Sequence, residues 1–265
     1  MALIQATFMS NTLKRTVPIQ VILPVDKILK ENKQQKPFKT LYLLHGLFGN
    51  YTDWVTNTRI QRWAQDQNLA VVMPSADNSF YIDYDMLPNS DYGKFIGEEL
   101  VQVTRAMFHL SDKREDTFIA GLSMGGFGAI RNGLKYSETF GYIAGLSSAI
   151  QFFEFPGHTI IDEDKVFGDL EKAILTDKNP RYLIENFGNK PKPKIFMACG
   201  LEDSLIEANR IFKDLFIKHG FDLTYIEDHG KHDWDFWDKY IQDILKWLPL
   251  DERKEGLSSG HVQED

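Results

Sequence analysis

The segment that most constrains the fold is TFIAGLSMGGFG, residues 117–128. A short β-branched and aromatic run leads into Gly-x-Ser-x-Gly, and residues 129–136 after it are compatible with a helix. This context predicts a nucleophile elbow, a sharp strand-to-helix turn that presents Ser123 at the top of a sheet. Gly121 and Gly125 remove Cβ atoms that would clash in such a strained turn. The alternative is a glycine-rich turn with an idle serine, so the interpretation depends on the rest of the chain.

Strand and helix patterns alternate along the chain and predict an α/β fold with a central, mostly parallel sheet flanked by helices. A first strand over 17–24 is expected at a sheet edge, because Pro18 cannot donate to a ladder. Further strands are predicted at 41–44, 69–73, 117–120, 142–146, 194–199 and 223–226. Helices are predicted at 59–67, 93–108, 124–136, 180–186, 204–219 and 234–247. We therefore expect one domain over 1–250, an irregular stretch over 150–190, and a polar, frayed tail over 251–265.

A catalytic serine needs a base to take its proton and an acid to orient that base. The acid candidate is Asp203, in the loop after the apolar strand 194–199, because functional groups in open parallel sheets lie beyond the carboxyl ends of strands. An N-cap role for Asp203 is the structural alternative. Glu202 is the neighbouring rival, and loop geometry decides between the two.

The base candidate is His232, in the loop between the last strand and the last helix, which completes the chain order Ser, Asp, His of the α/β-hydrolases. His229 is its competitor in the same loop. His219 is expected at a helix C-terminus, where the dipole favours it, and His261 lies in the tail.

An oxyanion hole needs two backbone N–H donors aimed at the developing negative charge. The residue after the nucleophile, Met124, supplies the first. The loop 45–49 directly follows the buried strand 41–44, and Leu47 is the candidate for the second. We expect His45 to hold this loop by hydrogen bonding rather than to act as a base.

Together these motifs resemble the esterase D branch of the α/β-hydrolase superfamily, a family similar to the S-formylglutathione hydrolases, and most closely the bacterial tributyrin esterases. The resemblance spans nearly the whole chain. Its motifs are an N-terminal strand pair ending at 22–24, then 42–46, Trp54, 73–74, 121–126, Cys199-Gly200-x-x-Asp203 and Gly230-x-His232-x-Trp234-x-x-Trp237. It implies an α/β-hydrolase fold, a Ser123–Asp203–His232 triad, and hydrolysis of short acyl esters with no metal or organic cofactor.

Two differences between this chain and related hydrolases narrow the predicted substrate class. S-formylglutathione hydrolases usually carry Ser-Gly-Leu-Thr-Cys at the oxyanion loop and a histidine in place of Leu122, whereas this chain has His45-Gly46-Leu47-Phe48-Gly49. Glutathione thioester hydrolysis is therefore disfavoured. Residues 150–190 also contain no long, strongly apolar helix pair, which argues against a large lipase-type lid.

Aromatic residues are abundant in the segments that should surround the mouth of the site, and Phe48, Trp54 and Trp234 are the candidates for substrate binding. Core packing is the simpler explanation for at least half of the aromatic set, which also includes Phe80, Tyr81, Tyr84, Phe152 and Phe153. A shallow aromatic site suits acetyl to butyryl chains.

The single cysteine, Cys199, lies inside an apolar strand and is interpreted as a packing residue.

Charge and cysteine content set the remaining limits. The formal net charge of −8 argues against nucleic acid or an anionic membrane as a partner. A single cysteine excludes an internal disulfide and suggests a reducing compartment. No signal peptide is visible, so a soluble cytoplasmic protein is expected.

The leading prediction is a serine carboxylesterase acting on small-molecule esters. The alternatives are a thioesterase or acyltransferase, and a binding module without catalysis. The sequence leaves open whether the chain forms a homo-oligomer.

Overall fold

The computed structural model describes residues 1–25, 36–84, 87–155 and 161–250. Eight strands form one sheet in the spatial order β1-β2-β4-β3-β5-β6-β7-β8. The β1–β2 and β2–β4 pairs are antiparallel, and every other neighbouring pair is parallel. The strands are β1 (Ala2–Ser10), β2 (Arg15–Leu23), β3 (Thr40–Leu44), β4 (Ala70–Pro74), β5 (Thr117–Leu122), β6 (Tyr142–Leu146), β7 (Lys194–Gly200) and β8 (Leu223–Asp228). The predicted α/β-hydrolase fold is confirmed.

Helices cover both faces of the sheet, so its central strands are buried on both sides. In β5, Ile119 belongs to one apolar core, whereas Phe118 and Ala120 belong to the core on the opposite face. The described helices are α1 (Asp53–Asn57), α2 (Ile60–Asp66), α3 (Tyr92–Lys94), α4 (Leu100–Met107), α5 (Met124–Lys135), α6 (Glu163–Phe167), α7 (Leu170–Ala173), α8 (Pro180–Glu185), α9 (Ile206–Lys218) and α10 (Trp234–Trp247). A π-helical turn (Phe95–Glu99) joins α3 to α4 within the segment predicted as one helix.

The prediction that the 17–24 strand lies at a sheet edge is wrong. The strand β2 pairs with β1 on one side and with β4 on the other, and β1 is the edge strand. The carbonyl of Pro18 faces β4, because it accepts a hydrogen bond from Ser75 N–H over 3.4 Å, just beyond the last residue of β4. The nitrogen of Pro18 faces β4 as well, at the point where the β2–β4 ladder ends. Pro18 is therefore tolerated, because its missing N–H removes no ladder hydrogen bond.

Short helices occupy the segment predicted to be irregular. Between 150 and 190 they are α6, α7 and α8, the longest of which has six residues. They do not form a long apolar helix pair in the part of this segment that the structure describes. The predicted frayed tail, 251–265, lies outside the described residues. Among the described helices, none has the length and apolar character needed to cross a membrane.

The parallel strands end on one edge of the sheet, and the loops that follow them meet there. The loop after β3 carries residues 45–49, Ser123 follows β5, and the loops after β7 and β8 carry Asp203 and His232. This is the edge at which open α/β sheets hold functional groups.

Candidate active site

Ser123 occupies the turn between β5 and α5 in a backbone conformation that few non-glycine residues adopt, with φ 52° and ψ −117°. Such strain persists only where the surroundings enforce it, and it is common at functional sites. The flanking glycines make the turn possible. A Cβ on Gly121 would lie 2.3 Å from Gly125 O, and one on Gly125 would lie 2.5 Å from Leu44 O. The predicted elbow therefore has the geometry that its sequence implied.

The structure brings Ser123, His232 and Asp203 into one hydrogen-bonded chain. Ser123 Oγ lies 3.0 Å from His232 Nε2, and His232 Nδ1 lies 2.9 Å from Asp203 Oδ2. The first distance is within the range that proton transfer from a serine to a base requires, and the second allows the carboxylate to orient that base. The side chain of Asp203 is buried, whereas that of His232 is about one-third exposed. The arrangement can deprotonate a serine hydroxyl at a site that small molecules reach.

Asp203 is held as a carboxylate by its neighbours. Burial by itself raises its pKa, but hydrogen bonds from His232, from Leu205 N–H and from Ser147 bring the pKa below its usual value. Leu205 N–H donates to Oδ1 over 2.9 Å, which leaves Oδ2 for His232. Because an ionised carboxylate only accepts hydrogen bonds, Nδ1 of His232 carries a proton, and in the neutral imidazole Nε2 presents its lone pair to Ser123.

The two rivals from the sequence, Glu202 and His229, pair with each other instead. His229 Nδ1 lies 2.8 Å from Glu202 Oε1, and Glu202 Oε2 accepts from Gly230 N–H over 2.7 Å. The His229 side chain is 84% exposed. The hydrogen bond that Glu202 accepts from the imidazole raises the pKa of His229. Neither residue contacts Ser123 in the part of the chain that the structure describes.

The remaining downstream histidines lie away from the elbow. His219 caps the C-terminal end of α9, as expected from its position. His158 and His261 lie outside the described residues.

The loop after β3 lies against the elbow. A Cβ on Gly46 would be 3.7 Å from Ser123 Cβ, so the backbone of this loop closely approaches the serine. The two predicted oxyanion donors flank that point: Leu47 N–H in the loop and Met124 N–H at the first residue of α5. Across the described residues, neither N–H has a hydrogen-bond acceptor within the protein. Two such donors beside a serine hydroxyl are the arrangement that an oxyanion hole requires.

The three predicted substrate-contacting aromatics have different environments. Phe48 is 75% exposed and has φ 64°, and its N–H donates to Asn78 Oδ1 over 2.8 Å. Trp234 is half-buried and packs edge-on against Trp54, with ring centroids 5.4 Å apart. Trp54 itself is buried, and its Nε1 donates to Leu44 O over 3.0 Å. Phe48 and Trp234 therefore expose ring surface to solvent, whereas Trp54 supports the end of β3 from within the core.

The other aromatics of the predicted mouth mostly pack in the interior. Phe80, Tyr81 and Phe152 are buried, and Phe80 lies edge-on to Phe152 with ring centroids 4.8 Å apart. Cys199 is a free, buried thiol, and burial raises its pKa well above the usual value. It has the character of a packing residue.

Sequence reasoning missed Ser147, the first residue after β6. It is fully buried, and its Oγ accepts a hydrogen bond from Trp237 Nε1 over 3.2 Å. The signal that could have found it is its place at the carboxyl end of a predicted strand, the edge that also holds Ser123 and Asp203.

Comparisons with known proteins agree with this architecture. The model of the Esterase family matches residues 10–248. An acetyl esterase of Caldicellulosiruptor saccharolyticus is 43% identical over 267 residues, covering 94% of this chain and 98% of that protein.

Two solved structures from Staphylococcus aureus are similar throughout. The fluorophosphonate-binding serine hydrolase FphF has a TM-score of 0.84 at 31% identity, covering 93% of this chain and 98% of that one. An S-formylglutathione hydrolase, FrmB, has a TM-score of 0.83 at 32% identity with the same coverage. The chain belongs to the Esterase family, within the esterase D and S-formylglutathione hydrolase-like group of α/β-hydrolases, and it is a carboxylesterase.

Proposed function

We propose that this member of the Esterase family is a serine carboxylesterase that hydrolyses short-chain acyl esters through an acyl-enzyme on Ser123. The observation that carries the proposal is the continuous hydrogen-bonded chain from Ser123 through His232 to Asp203. In this assignment Ser123 is the nucleophile, His232 the general base and Asp203 the residue that orients it. Leu47 and Met124 supply the oxyanion hole.

The reaction has two halves. Ser123 Oγ attacks the ester carbonyl carbon while its proton passes to His232 Nε2, and the carbonyl oxygen becomes an oxyanion facing the N–H groups of Leu47 and Met124. The tetrahedral intermediate collapses: the bond to the leaving alcohol breaks, and His232 gives that alcohol its proton. Water then attacks the acyl-serine carbonyl carbon and loses a proton to His232. The bond between Ser123 Oγ and the acyl carbon breaks, His232 returns the proton to Oγ, and the carboxylic acid leaves.

The proposed substrates carry acetyl to butyryl groups, as in small glycerides of the tributyrin type or acetylated sugars. Three observations support this range. A relative with 43% identity is an acetyl esterase. Phe48, which directly follows Leu47 in the loop after β3, is exposed. The described helices between residues 161 and 190 are short, which suits an open site better than an acyl tunnel beneath a large lid.

A panel of p-nitrophenyl esters from acetyl to decanoyl tests this proposal. We expect kcat/KM to peak between acetyl and butyryl and to fall beyond hexanoyl, since a shallow site gains nothing from added methylenes. A deep tunnel would instead gain roughly 0.8 kcal/mol for each buried methylene. Ser123→Ala is the control and should lower kcat by roughly 10³–10⁶-fold. A maximum at decanoyl contradicts the substrate range, and equal turnover by Ser123→Ala contradicts the mechanism.

A thioesterase on the same scaffold is the second candidate, because the relative FrmB at 32% identity is an S-formylglutathione hydrolase. The loop sequence at 45–49 and Leu122 disfavour it. Turnover of S-formylglutathione, measured beside p-nitrophenyl acetate, separates the two: a higher kcat/KM for the thioester would favour this second function. Adding an alcohol acceptor to the same assay detects acyl transfer as an ester product.

The formal net charge of −8 and the single cysteine support a proposal about the location and partners of the enzyme. We infer a cytoplasmic enzyme with small-molecule ester substrates and without nucleic acid or membrane partners. Cell fractionation tests the location, and sedimentation analysis tests whether the chain forms homo-oligomers.

A further inference from the structure

Ser147 forms a strained turn directly behind the candidate active site. It follows β6, is fully buried and has φ 46°, a left-handed conformation that glycine adopts far more readily than serine. Its N–H donates to Ala198 O over 2.8 Å, which extends the β6–β7 ladder into the turn. Glycine would satisfy this backbone without strain, so the backbone does not explain why a side chain is present.

The hydroxyl of Ser147 connects the turn to the catalytic histidine. Trp237 Nε1–H donates to Ser147 Oγ over 3.2 Å, in the interior of the protein. The other side of the indole meets His232: the two rings lie perpendicular, with an interplanar angle of 89° and centroids 5.0 Å apart. Trp237 is 7% exposed, so its ring is enclosed by neighbours. A fixed indole restricts the plane in which the imidazole of His232 can lie.

The same hydroxyl also affects the carboxylate that orients His232. Having accepted from Trp237, Ser147 Oγ still has its own proton to donate. Burial raises the pKa of Asp203, and the hydrogen bonds that outweigh this effect include one from Ser147. Ser147 is therefore linked to His232 through Trp237, and its hydroxyl also lowers the pKa of Asp203.

We propose that Ser147 is a positioning residue: its hydroxyl fixes Trp237, which sets the ring plane of His232 against Asp203. Misplacing a catalytic group by about 1 Å lowers the rate by roughly 10²-fold. A hydroxyl that is separated from His232 only by Trp237 can therefore change kcat. This proposal rests on the proposed base role of His232.

Substitutions at Ser147 and at the next serine test the proposal. Ser147→Ala removes the hydroxyl and keeps the strained backbone, and Ser147→Gly removes the hydroxyl and relieves the strain. Ser148→Ala is the matched control, because Ser148 is also buried and its Oγ has no hydrogen-bond partner among the described residues. We expect both Ser147 variants to lower kcat for p-nitrophenyl acetate by roughly 10–100-fold with KM within about twofold, and Ser148→Ala to retain wild-type kcat.

Two further measurements distinguish positioning from general loss of packing. Trp237→Phe keeps an aromatic ring but removes the N–H that Ser147 accepts, so the double variant with Ser147→Ala should be no slower than the slower single variant. The downfield proton resonance of the His232 Nδ1–H bond to Asp203 should shift or broaden in Ser147→Ala and Ser147→Gly, and remain unchanged in Ser148→Ala.

The outcomes separate this proposal from the proposed function. If Ser123→Ala is inactive but both Ser147 variants keep wild-type kcat and an unchanged resonance, the positioning role is wrong and the esterase mechanism survives. Fully additive losses for Ser147→Ala and Trp237→Phe would also overturn it. If Ser123→Ala keeps wild-type turnover, the proposed function itself fails.

Discussion

The imidazole Nδ1 of His45 lies 2.7 Å from the carbonyl oxygen of Gly46. On the other side of the ring, Ala76 N–H lies 3.0 Å from Nε2 and donates to it. Since Nε2 accepts, Nδ1 carries the proton and donates to Gly46 O. Carbonyl and N–H point in opposite directions across a trans peptide, so holding Gly46 O fixes the direction of Leu47 N–H. His45 therefore orients one predicted oxyanion donor.

Two substitutions separate the two hydrogen bonds of His45. In His45→Asn the side-chain amide replaces the Nδ1 half of the ring and can still donate to Gly46 O. In His45→Gln the amide oxygen replaces Nε2 and can still accept from Ala76 N–H. Removing an oxyanion donor costs roughly 10²–10³-fold in kcat, so we expect His45→Gln to approach that loss and His45→Asn to retain more activity.

Steady-state kinetics with p-nitrophenyl acetate, together with thermal unfolding of each variant, check this expectation. A trifluoromethyl ketone, whose adduct with serine carries an oxyanion, should bind more weakly to His45→Gln by about the same factor as the loss of kcat. Equal kcat values for the two variants would contradict the role assigned to Gly46 O.

The choice between the two histidines gives a second prediction. His232→Ala should abolish activity about as fully as Ser123→Ala, since members of a catalytic unit are not additive. His229→Ala removes only an exposed contact with Glu202 and should leave kcat within about tenfold, or ~1.4 kcal/mol of barrier. Initial rates of both variants at saturating ester provide the measurement. If His229→Ala is the inactive one, the base has been assigned to the wrong residue.

The sequence predicted those elements whose own residues form a recognisable local pattern. The glycines around Ser123 predicted the elbow, and continuous apolar runs such as 41–44 predicted strands buried on both faces. Chain order then placed Asp203 and His232 on loops at one sheet edge. The helices α1, α6 and α7 were not predicted, because four or five residues are too few for a hydrophobic period to emerge.

Choices that depend on three-dimensional geometry could not be made from the sequence. Glu202 and Asp203 are adjacent in the chain, and only the direction of each side chain decides which one faces His232. Trp54 looked like a pocket residue because of its place after the oxyanion loop, yet its indole turns inward to Leu44 O. Ser147 follows a predicted strand, but its role could not be predicted because its contact with Trp237 spans ninety positions of the chain.

The aromatic residues near the mouth give a third prediction. Phe48→Ala removes an exposed ring and should raise KM for p-nitrophenyl butyrate by roughly 3–10-fold without lowering the unfolding free energy, because surface changes are usually within 0.5 kcal/mol. Trp54→Phe removes the bond to Leu44 O and should lower the unfolding free energy by roughly 1–3 kcal/mol, with KM unchanged. Urea unfolding and Michaelis–Menten kinetics measure both. A reversed pattern would mean that Trp54, rather than Phe48, contacts the ester.

The last prediction concerns how stability depends on pH. Burial lowers the pKa of His45, and the Gly46 carbonyl, Asp53 and Asp77 offset this only in part. The unfolded chain therefore binds a proton near pH 6.5 that the folded chain does not, so His45 makes stability rise with pH through the window between its folded and unfolded pKa values. Above about pH 6.5 this contribution is fully present, and it is lost as the pH falls toward the folded pKa.

The variant His45→Asn tests this dependence, because its side chain has no group that binds a proton in this pH range. Urea unfolding of the wild type and of His45→Asn between pH 5 and 8 measures this effect. The difference between their unfolding free energies should be constant above pH 7. As the pH falls, the wild type should lose stability relative to His45→Asn by up to roughly 1.4 kcal/mol per pH unit. A difference that stays constant down to pH 5 would mean that His45 takes up a proton in the folded protein, and the tautomer argument for the oxyanion loop would fail with it.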